Sequence, residues 1–280
     1  MTLRSKRKSN IIVYSISYTL LIAFSIIMIM PFVWMILSTF KDQSELMRFP
    51  PKFLPDRFTL KNYAEVFSSV PFLRYYLNSI LITTVAVTLT LLTSSLAGFA
   101  FAKYRFRGRN SIFKTLLGAM MIPFPVTIIP LYIMIYNLGL VDTYLALIIT
   151  GSVSIFGVFL MRQFIVTIPD DLIDAARIDG CSEFQIFRII VIPNIRAPLS
   201  ALAIFSFMAT WNAFLWPLLV VNNDEHRTVQ LGVQYFTQRY GDLMHLQITA
   251  AAMAVIPIVV LYLILQKQFI EGITMTGLKG

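Results

Sequence analysis

Five of the chain's 14 acidic residues, Asp170, Asp171, Asp174, Asp179 and Glu183, crowd into or just before the stretch DAARIDGCSEFQIF, Asp174 to Phe187. Their positions suit the electrostatics of helix ends. After Pro169, Asp170, Asp171 and Asp174 stand in or just before the first turn of a short helix, where carboxylates meet the positive end of the helix dipole. The body of that helix is LIDAARI, and Gly180 follows Asp179 where a chain leaves a helix in the left-handed conformation. That conformation costs a residue with a Cβ about 1–2 kcal/mol, so a sharp turn is expected at the glycine. Ser182 and Gln185 then fit the S-x-x-Q capping box, with Glu183 in the first turn. A second helix therefore begins at once and runs through FQIFRIIVIP towards Pro193 and Pro198.

Two capped helices meeting at an angle can plug a protein socket or lie as an amphipathic element on lipid. A lipid-bound helix favours Lys and Arg on its polar face. This one is acid-rich, which favours a protein partner. No other grouping of side chains suggests chemistry. Cys181, His226 and His245 lie in different connections, so no nucleophile stands beside a base. A single cysteine excludes an internal disulfide, and the histidines have no Cys or carboxylate at ligand spacing, so no structural metal is expected. A phosphate loop of the form GxxxxGKS or GxxxxGKT does not occur, so energy for any transport must arrive from a partner.

The elements that must position this cassette are membrane helices. With 57% hydrophobic and 13% charged residues, and a mean hydropathy of +0.74, the chain is far from a soluble domain, whose charged fraction is about 25%. Six runs reach the roughly 20 apolar residues of a span: about 11 to 38, 75 to 102, 112 to 137, 143 to 163, 198 to 221 and 244 to 266. The reading is an all-α polytopic membrane protein of one domain, 1–280, with the cassette in a connecting loop, 164–197, and a tail, 268–280. Its net charge of +9 sits mostly at the ends of the runs and forms no aromatic-interleaved surface for nucleic acid. Arg4, Lys6, Arg7 and Lys8 precede the first run, Lys103, Arg105, Arg107 and Arg109 follow the second, and Arg162, Arg177, Arg188 and Arg196 flank the cassette. By the positive-inside rule these parts, and both termini, face the cytoplasm. The segment from Lys41 to Arg74 opposes that reading with six basic residues on the outer side. It is longer and Pro-rich, and Leu60, Tyr63, Val66 and Phe67 predict a short surface helix within it.

No ionisable residue stands at mid-membrane, where ion-coupled transporters keep them. His245, at the start of the last run, reads as an interfacial histidine or a relay. Pro123, Pro125 and Pro130 in MIPFPVTIIP, and Pro217 in WNAFLWPL, read as kinks in packed helices. Asn212 must find a partner or line a wet cavity.

The run Asp174 to Pro198, DAARIDGCSEFQIFRIIVIPNIRAP, resembles the EAA motif of ABC importer permeases, E-A-A-x-x-D-G-A followed by an aromatic and two prolines. Asp174 replaces the usual Glu and Cys181 the usual Ala. NLGLVDTYLALI, Asn137 to Ile148, and TWNAFLWPLL, Thr210 to Leu219, resemble segments of carbohydrate-uptake permeases, and the ending GITMTGLKG is similar to the tail of the maltose-type second permease subunit. The resemblance implies a type I importer fold. It also implies two permease subunits around the pathway, a cytoplasmic ATPase dimer carrying ATP and Mg²⁺, and an extracytoplasmic sugar-binding protein, in a bacterial or archaeal inner membrane. This chain would be one permease, with no cofactor of its own. Asp174, Ala175, Ala176, Asp179, Gly180, Phe184 and Phe187 would form the coupling helix that docks in an ATPase cleft. Thr274, Gly277, Lys279 and Gly280 would reach between the ATPase subunits, fraying being the other reading. Trp211 and Asn212 would stack on and bond a sugar in the pathway, helix packing being theirs. A stand-alone secondary transporter or channel, or an intramembrane enzyme acting on lipid, are the rival classes.

Overall fold

The computed structural model describes the backbone of residues 3–238 and 243–276 and the side chains of residues 13–237 and 243–266. Among the described residues every regular element is helical. In chain order these are α1 (Leu3–Ser38), α2 (Gln43–Leu46), α3 (Lys61–Ser69), α4 (Phe72–Lys103), α5 (Arg109–Ala119), α6 (Phe124–Asn137), α7 (Tyr144–Gly151) and α8 (Ile155–Val166). Then follow α9 (Asp170–Ile178), α10 (Glu183–Ile186), a π turn (Phe187–Val191), α11 (Ile192–Asn194), α12 (Arg196–Trp211), α13 (Leu215–Val220), α14 (Val229–Gln238) and α15 (Met244–Thr276). Four stretches are long and apolar enough to span a membrane, and six if two bent helix pairs each count as one span.

The chain forms two compact units, Met1–Val70 with Val233–Met253, and Pro71–Gly232 with Ala254–Gly280. In the first unit the buried amide of Asn62 ties the end of α1 to α3 by donating to the Thr39 and Lys41 carbonyls, each at 2.8 Å. Lys41, 1% exposed, donates to the Lys52 carbonyl at 2.6 Å and lies 5.7 Å from the Trp34 ring. The predicted surface helix exists, but its buried face is Asn62 and Val66, with Leu60 and Phe67 exposed. The polar anchor, invisible to an apolar periodicity, sets that face. His245 is buried and its Nδ1 lies 2.8 Å from Oε1 of Gln43, a neutral partner.

The second unit is built on α4, 32 residues and so about 48 Å long. Its buried side carries Asn78, Ser79, Thr83, Thr90, Ser94, Ser95 and Gly98, small or polar residues that let membrane helices approach without a hydrophobic driving force. A Cβ on Gly98 would lie 2.6 Å from Cβ of Met161 and 2.9 Å from the Arg162 backbone nitrogen. The two backbones of α4 and α8 therefore touch there. At the opposite end of α4, Asn78 donates to the carbonyls of Glu225 and Arg227, both at 2.9 Å, and accepts from the Tyr144 hydroxyl at 2.8 Å.

Three of the expected runs are interrupted rather than straight. The run 112 to 137 divides into α5 and α6, bent by 103°, because Pro123 caps α6 in an extended conformation and Pro125 enters its first turn. Proline there removes the N–H groups that a continuous helix would need. The run 143 to 163 breaks at Ser152–Ser154, where Thr143 caps α7 and Ser154 caps α8. The run 198 to 221 breaks between α12 and α13, with Asn212 as the C-cap. The final run does not end at 266, since α15 continues to Thr276.

Gly98→Ala should destabilise the protein by about 1–3 kcal/mol, the range for overpacking, because backbone and Cβ atoms rather than flexible tips stand in the way. Gly118→Ala, in α5 with nothing within 4 Å of the new methyl, should leave stability equal or higher. Thermal unfolding midpoints in mild detergent compare the two.

Candidate functional site

The cassette forms as its local chemistry dictates. Asp170 and Asp171 occupy the first turn of α9, Gly180 turns with φ +81°, and Ser182 and Gln185 complete the capping box that starts α10. Asp174 sits one turn later than the sequence placed it, and its Oδ1 accepts from Arg177 at 2.9 Å. The same guanidinium donates to Glu183 at 2.9 Å across the Gly180 turn, so one arginine braces both arms.

Two further residues fix the cassette to α4. Lys103, in the last turn of α4 and 5% exposed at its side chain, donates to the Ile168 carbonyl and to Asp170 Oδ1, the latter at 2.6 Å. Tyr104 donates its hydroxyl to the Glu183 carboxylate. The Lys103 hydrogen bond holds the Asp170 carboxyl below the usual aspartate range. Hydrogen bonds from Arg177 and then Tyr104 lower Glu183, while burial and the neighbouring Glu183 push the Tyr104 phenol up to about 12. All these groups are therefore in the state that keeps the brace charged and bonded at neutral pH.

The cassette has two faces. Ile173, Ala176, Ile186, Phe187, Val191 and Ile195 are buried in one cluster with Phe99, Met161, Ile165, Ile168 and Leu202 of the membrane helices and their ends. The opposite face exposes Asp174, Ala175, Asp179 and Gly180 together with Ile178 and Phe184, 87% and 68% exposed. Of the seven residues singled out by sequence, five lie on this outer face and two, Ala176 and Phe187, point inward. The Phe187 ring packs 5.8 Å from that of Phe99. Lys103, Tyr104 and Arg177, the clamp itself, were read in the sequence only as topology charges or not at all. The cue was Lys103–Tyr104 ending a span on the side where the acid-rich helix begins.

Trp211 is 1% exposed, donates its indole N–H to the Ala254 carbonyl at 2.9 Å, and stacks on Phe207 with ring centroids 5.6 Å apart. Its ring is packed, not open to a solute. Asn212 is exposed at the helix break, 3.5 Å from the Gln230 amide. Thr274 belongs to the last turn of α15, and Gly277, Lys279 and Gly280 lie outside the described residues. Among the described residues no group of three His, Cys, Asp or Glu side chains is placed to hold a metal ion.

Residues 91–274 match the family described as binding-protein-dependent transport system inner membrane component. The chain is 37% identical over 281 residues to the arabinooligosaccharides transport system permease protein AraQ of Halalkalibacterium halodurans, covering 98% of this chain and 100% of the relative. It is 32% identical over 272 residues to the lactose transport system permease protein LacG of Rhizobium radiobacter, covering 97% of each. Among solved structures, a chain of a bacterial ABC transporter involved in the import of the acidic polysaccharide alginate shares the fold, with a TM-score of 0.80 at 22% identity, covering 96% of this chain and 99% of that one.

Lys103→Met should free the cassette from α4 while keeping an apolar stem. Hydrogen exchange across residues 168–186 should rise, with the middle of α4 unchanged. Because the folded Asp170 carboxyl titrates below its ordinary value of 3.8, the tether is complete above that pH and is lost only as pH falls through the lowered value. Exchange in the cassette should thus be insensitive to this pair between pH 5 and pH 8, roughly the range over which proteins are most stable.

Proposed function

The chain belongs to the binding-protein-dependent transport system inner membrane component family, and from that premise we propose that it works as one of two permease subunits in an ATP-driven sugar importer. Its part is transport rather than catalysis, and family membership sets aside the stand-alone transporter or channel. The arabinooligosaccharide and lactose permeases among its relatives support an oligosaccharide as the cargo. The remaining members of the assembly are a second permease, a cytoplasmic ATPase dimer that binds ATP and Mg²⁺, and an extracytoplasmic sugar-binding protein. The chain is a multi-pass membrane protein, and the lysines and arginines around the cassette and before α1 support an orientation with both termini in the cytoplasm.

The observation that carries this reading is the two-faced cassette. An exposed isoleucine and phenylalanine set among carboxylates are the anchors of a protein contact, not of an anionic lipid surface. Behind them the inner face is locked into the ends of α4 and α8, so a push on the cassette moves those helices. When the ATPase dimer closes on ATP, its cleft carries Ile178 and Phe184. Arg177, Lys103 and Tyr104 pass the displacement to α4, and α4 passes it across the bilayer. The transition is a rigid-body movement of packed helices, which are bistable rather than soft.

Copurification tests the assembly: an ATPase and a second permease should accompany the chain through mild detergent, and a chain that purifies alone would refute it. Phe184→Ala should weaken retention of the ATPase about tenfold, the scale of an interface hot spot, with the membrane helices unaltered. Deleting Leu278 to Gly280 should leave membrane insertion intact and lower sugar uptake and ATPase coupling, if the tail reaches between the ATPase subunits as the resemblance implies. Uptake equal to wild type at low sugar concentration would assign the tail no such role.

A further inference from the structure

The breaks in the membrane helices converge on one cavity. It has a volume of about 490 Å³ and is walled by α12, by the α7–α8 break, by the start of α6 and by the α12–α13 break. That volume lies within the range of small-molecule sites, roughly 300–1,000 Å³. No charged residue lines it, and its polar side chains carry hydroxyls apart from Trp216, whose indole N–H donates to the Ala146 carbonyl at 3.1 Å.

Those hydroxyls divide into two sets. Thr90 donates to the Gly151 carbonyl at 2.8 Å, Thr150 donates to the Ala146 carbonyl at 2.9 Å, and Ser154 accepts from the Gly157 amide at 3.0 Å. Ser206 and Thr210, one turn apart on α12, line the same cavity, and their hydroxyls have no hydrogen-bond partner among the described residues. Other helical hydroxyls, those of Thr88, Thr115 and Ser200, turn back on the carbonyl four residues earlier at 2.8, 3.1 and 3.0 Å, while the buried Ser94 hydroxyl of α4 is unpaired but does not line this cavity. At membrane depth, where no bulk water compensates, two unspent hydroxyls on one wall are costly unless something fills the cavity and bonds them. Phe124 and Phe214 add aromatic surface to the lining. Hydroxyl donors and acceptors beside aromatic carbon, without charge, match a neutral sugar ring, which has hydroxyls at its edge and C–H groups on its faces. A lipid tail would leave both hydroxyls unpaired.

We propose that this cavity is a solute-contacting subsite of the chain itself, in which Ser206 and Thr210 hydrogen-bond the hydroxyls of a sugar unit in transit and Phe124 and Phe214 meet its apolar face. The assignment rests on the sugar-permease reading above and adds which residues select. It also moves the contact from Trp211 and Asn212 to their neighbours on the cavity wall.

The test uses the complete transporter in proteoliposomes, with arabinotriose, lactose and maltotriose as probes. Thr210→Val keeps the side chain's shape and Ser206→Ala shortens it by one oxygen. Each should lower uptake of the transported sugar about 2- to 10-fold, the value of one hydrogen bond, and should change the ratio between two transported sugars. A folding defect would leave that ratio untouched. Thr210→Cys in a Cys181→Ser background gives an independent reading: a water-soluble thiol reagent should label it, and sugar should slow the labelling. Unchanged uptake ratios, or labelling that is absent or indifferent to sugar, would overturn the subsite while sugar uptake by the wild type leaves the permease reading intact. Failure of the wild type to take up any of the three sugars would instead count against the sugar reading on which the subsite rests.

Discussion

Lys103 is the joint on which the rest depends. Its ammonium is almost wholly withdrawn from solvent at the end of α4, where a cation meets the negative end of the helix dipole. Withdrawal of a charge is tolerated only when it is paired and its donors are used. Lys103 uses a carboxylate and a backbone carbonyl, both from the few residues that open the cassette. The cost of burying the charge is thereby converted into a fixed position for α9. Without it, the cassette would be attached through apolar packing and the Tyr104–Glu183 hydrogen bond, and packing resists separation but resists sliding less well than directional bonds do.

From that joint the geometry runs in both directions. Towards solvent, Arg177 and Tyr104 converge on Glu183, so the turn at Gly180 is crossed by an ion pair as well as by backbone. The two arms then behave as one body. Towards the membrane, Gly98 lets α4 and α8 meet at backbone distance just before the clamp. Small residues at the seam and a charged lock at its end make a lever whose ends cannot move independently. The absence of mid-membrane ionisable residues from the six apolar runs agrees with such a device, because a mechanical input needs no proton or ion ligand within the span.

What could be read in the sequence was what is decided locally. The capping box at Ser182, the left-handed turn at Gly180 and the acidic first turn of α9 each depend on residues within four positions, and all three are present. The apolar runs were legible for the same reason, since length and composition suffice. Three things were not. Pro123 announced an irregularity, but a kink and a 103° bend differ in what satisfies the freed backbone groups, which is tertiary. Phe187, where the π turn begins, packs against Phe99 at the end of α4 instead of facing outward with Phe184, a choice made by that distant ring. Trp211 has the composition of a sugar platform, yet its N–H finds the Ala254 carbonyl 43 residues away, a contact no local pattern announces.

The interrupted helices carry the same logic into the membrane. Each break exposes carbonyls and N–H groups that a straight helix would have used internally, an expense that hydrocarbon does not compensate. Here the chain compensates part of it with side chains: Thr90 and Thr93 donate to the Gly151 and Ser152 carbonyls where α7 gives way to α8. Non-helical backbone at that depth survives where it is buried in protein or lines a wet cavity, and breaks at one cavity satisfy the second condition together. If the breaks served only to bend the helices around one another, nothing would require them to share a wall with Ser206 and Thr210. That they do places non-helical backbone, two unpaired hydroxyls and two phenylalanine rings on the lining of one cavity. The clamp, by contrast, has Lys103, Tyr104, Asp170, Arg177 and Glu183 all engaged in hydrogen bonds or ion pairs. Stiffness at the input and spare hydrogen-bonding capacity at the break are the division of labour expected of a machine driven from outside and selective within.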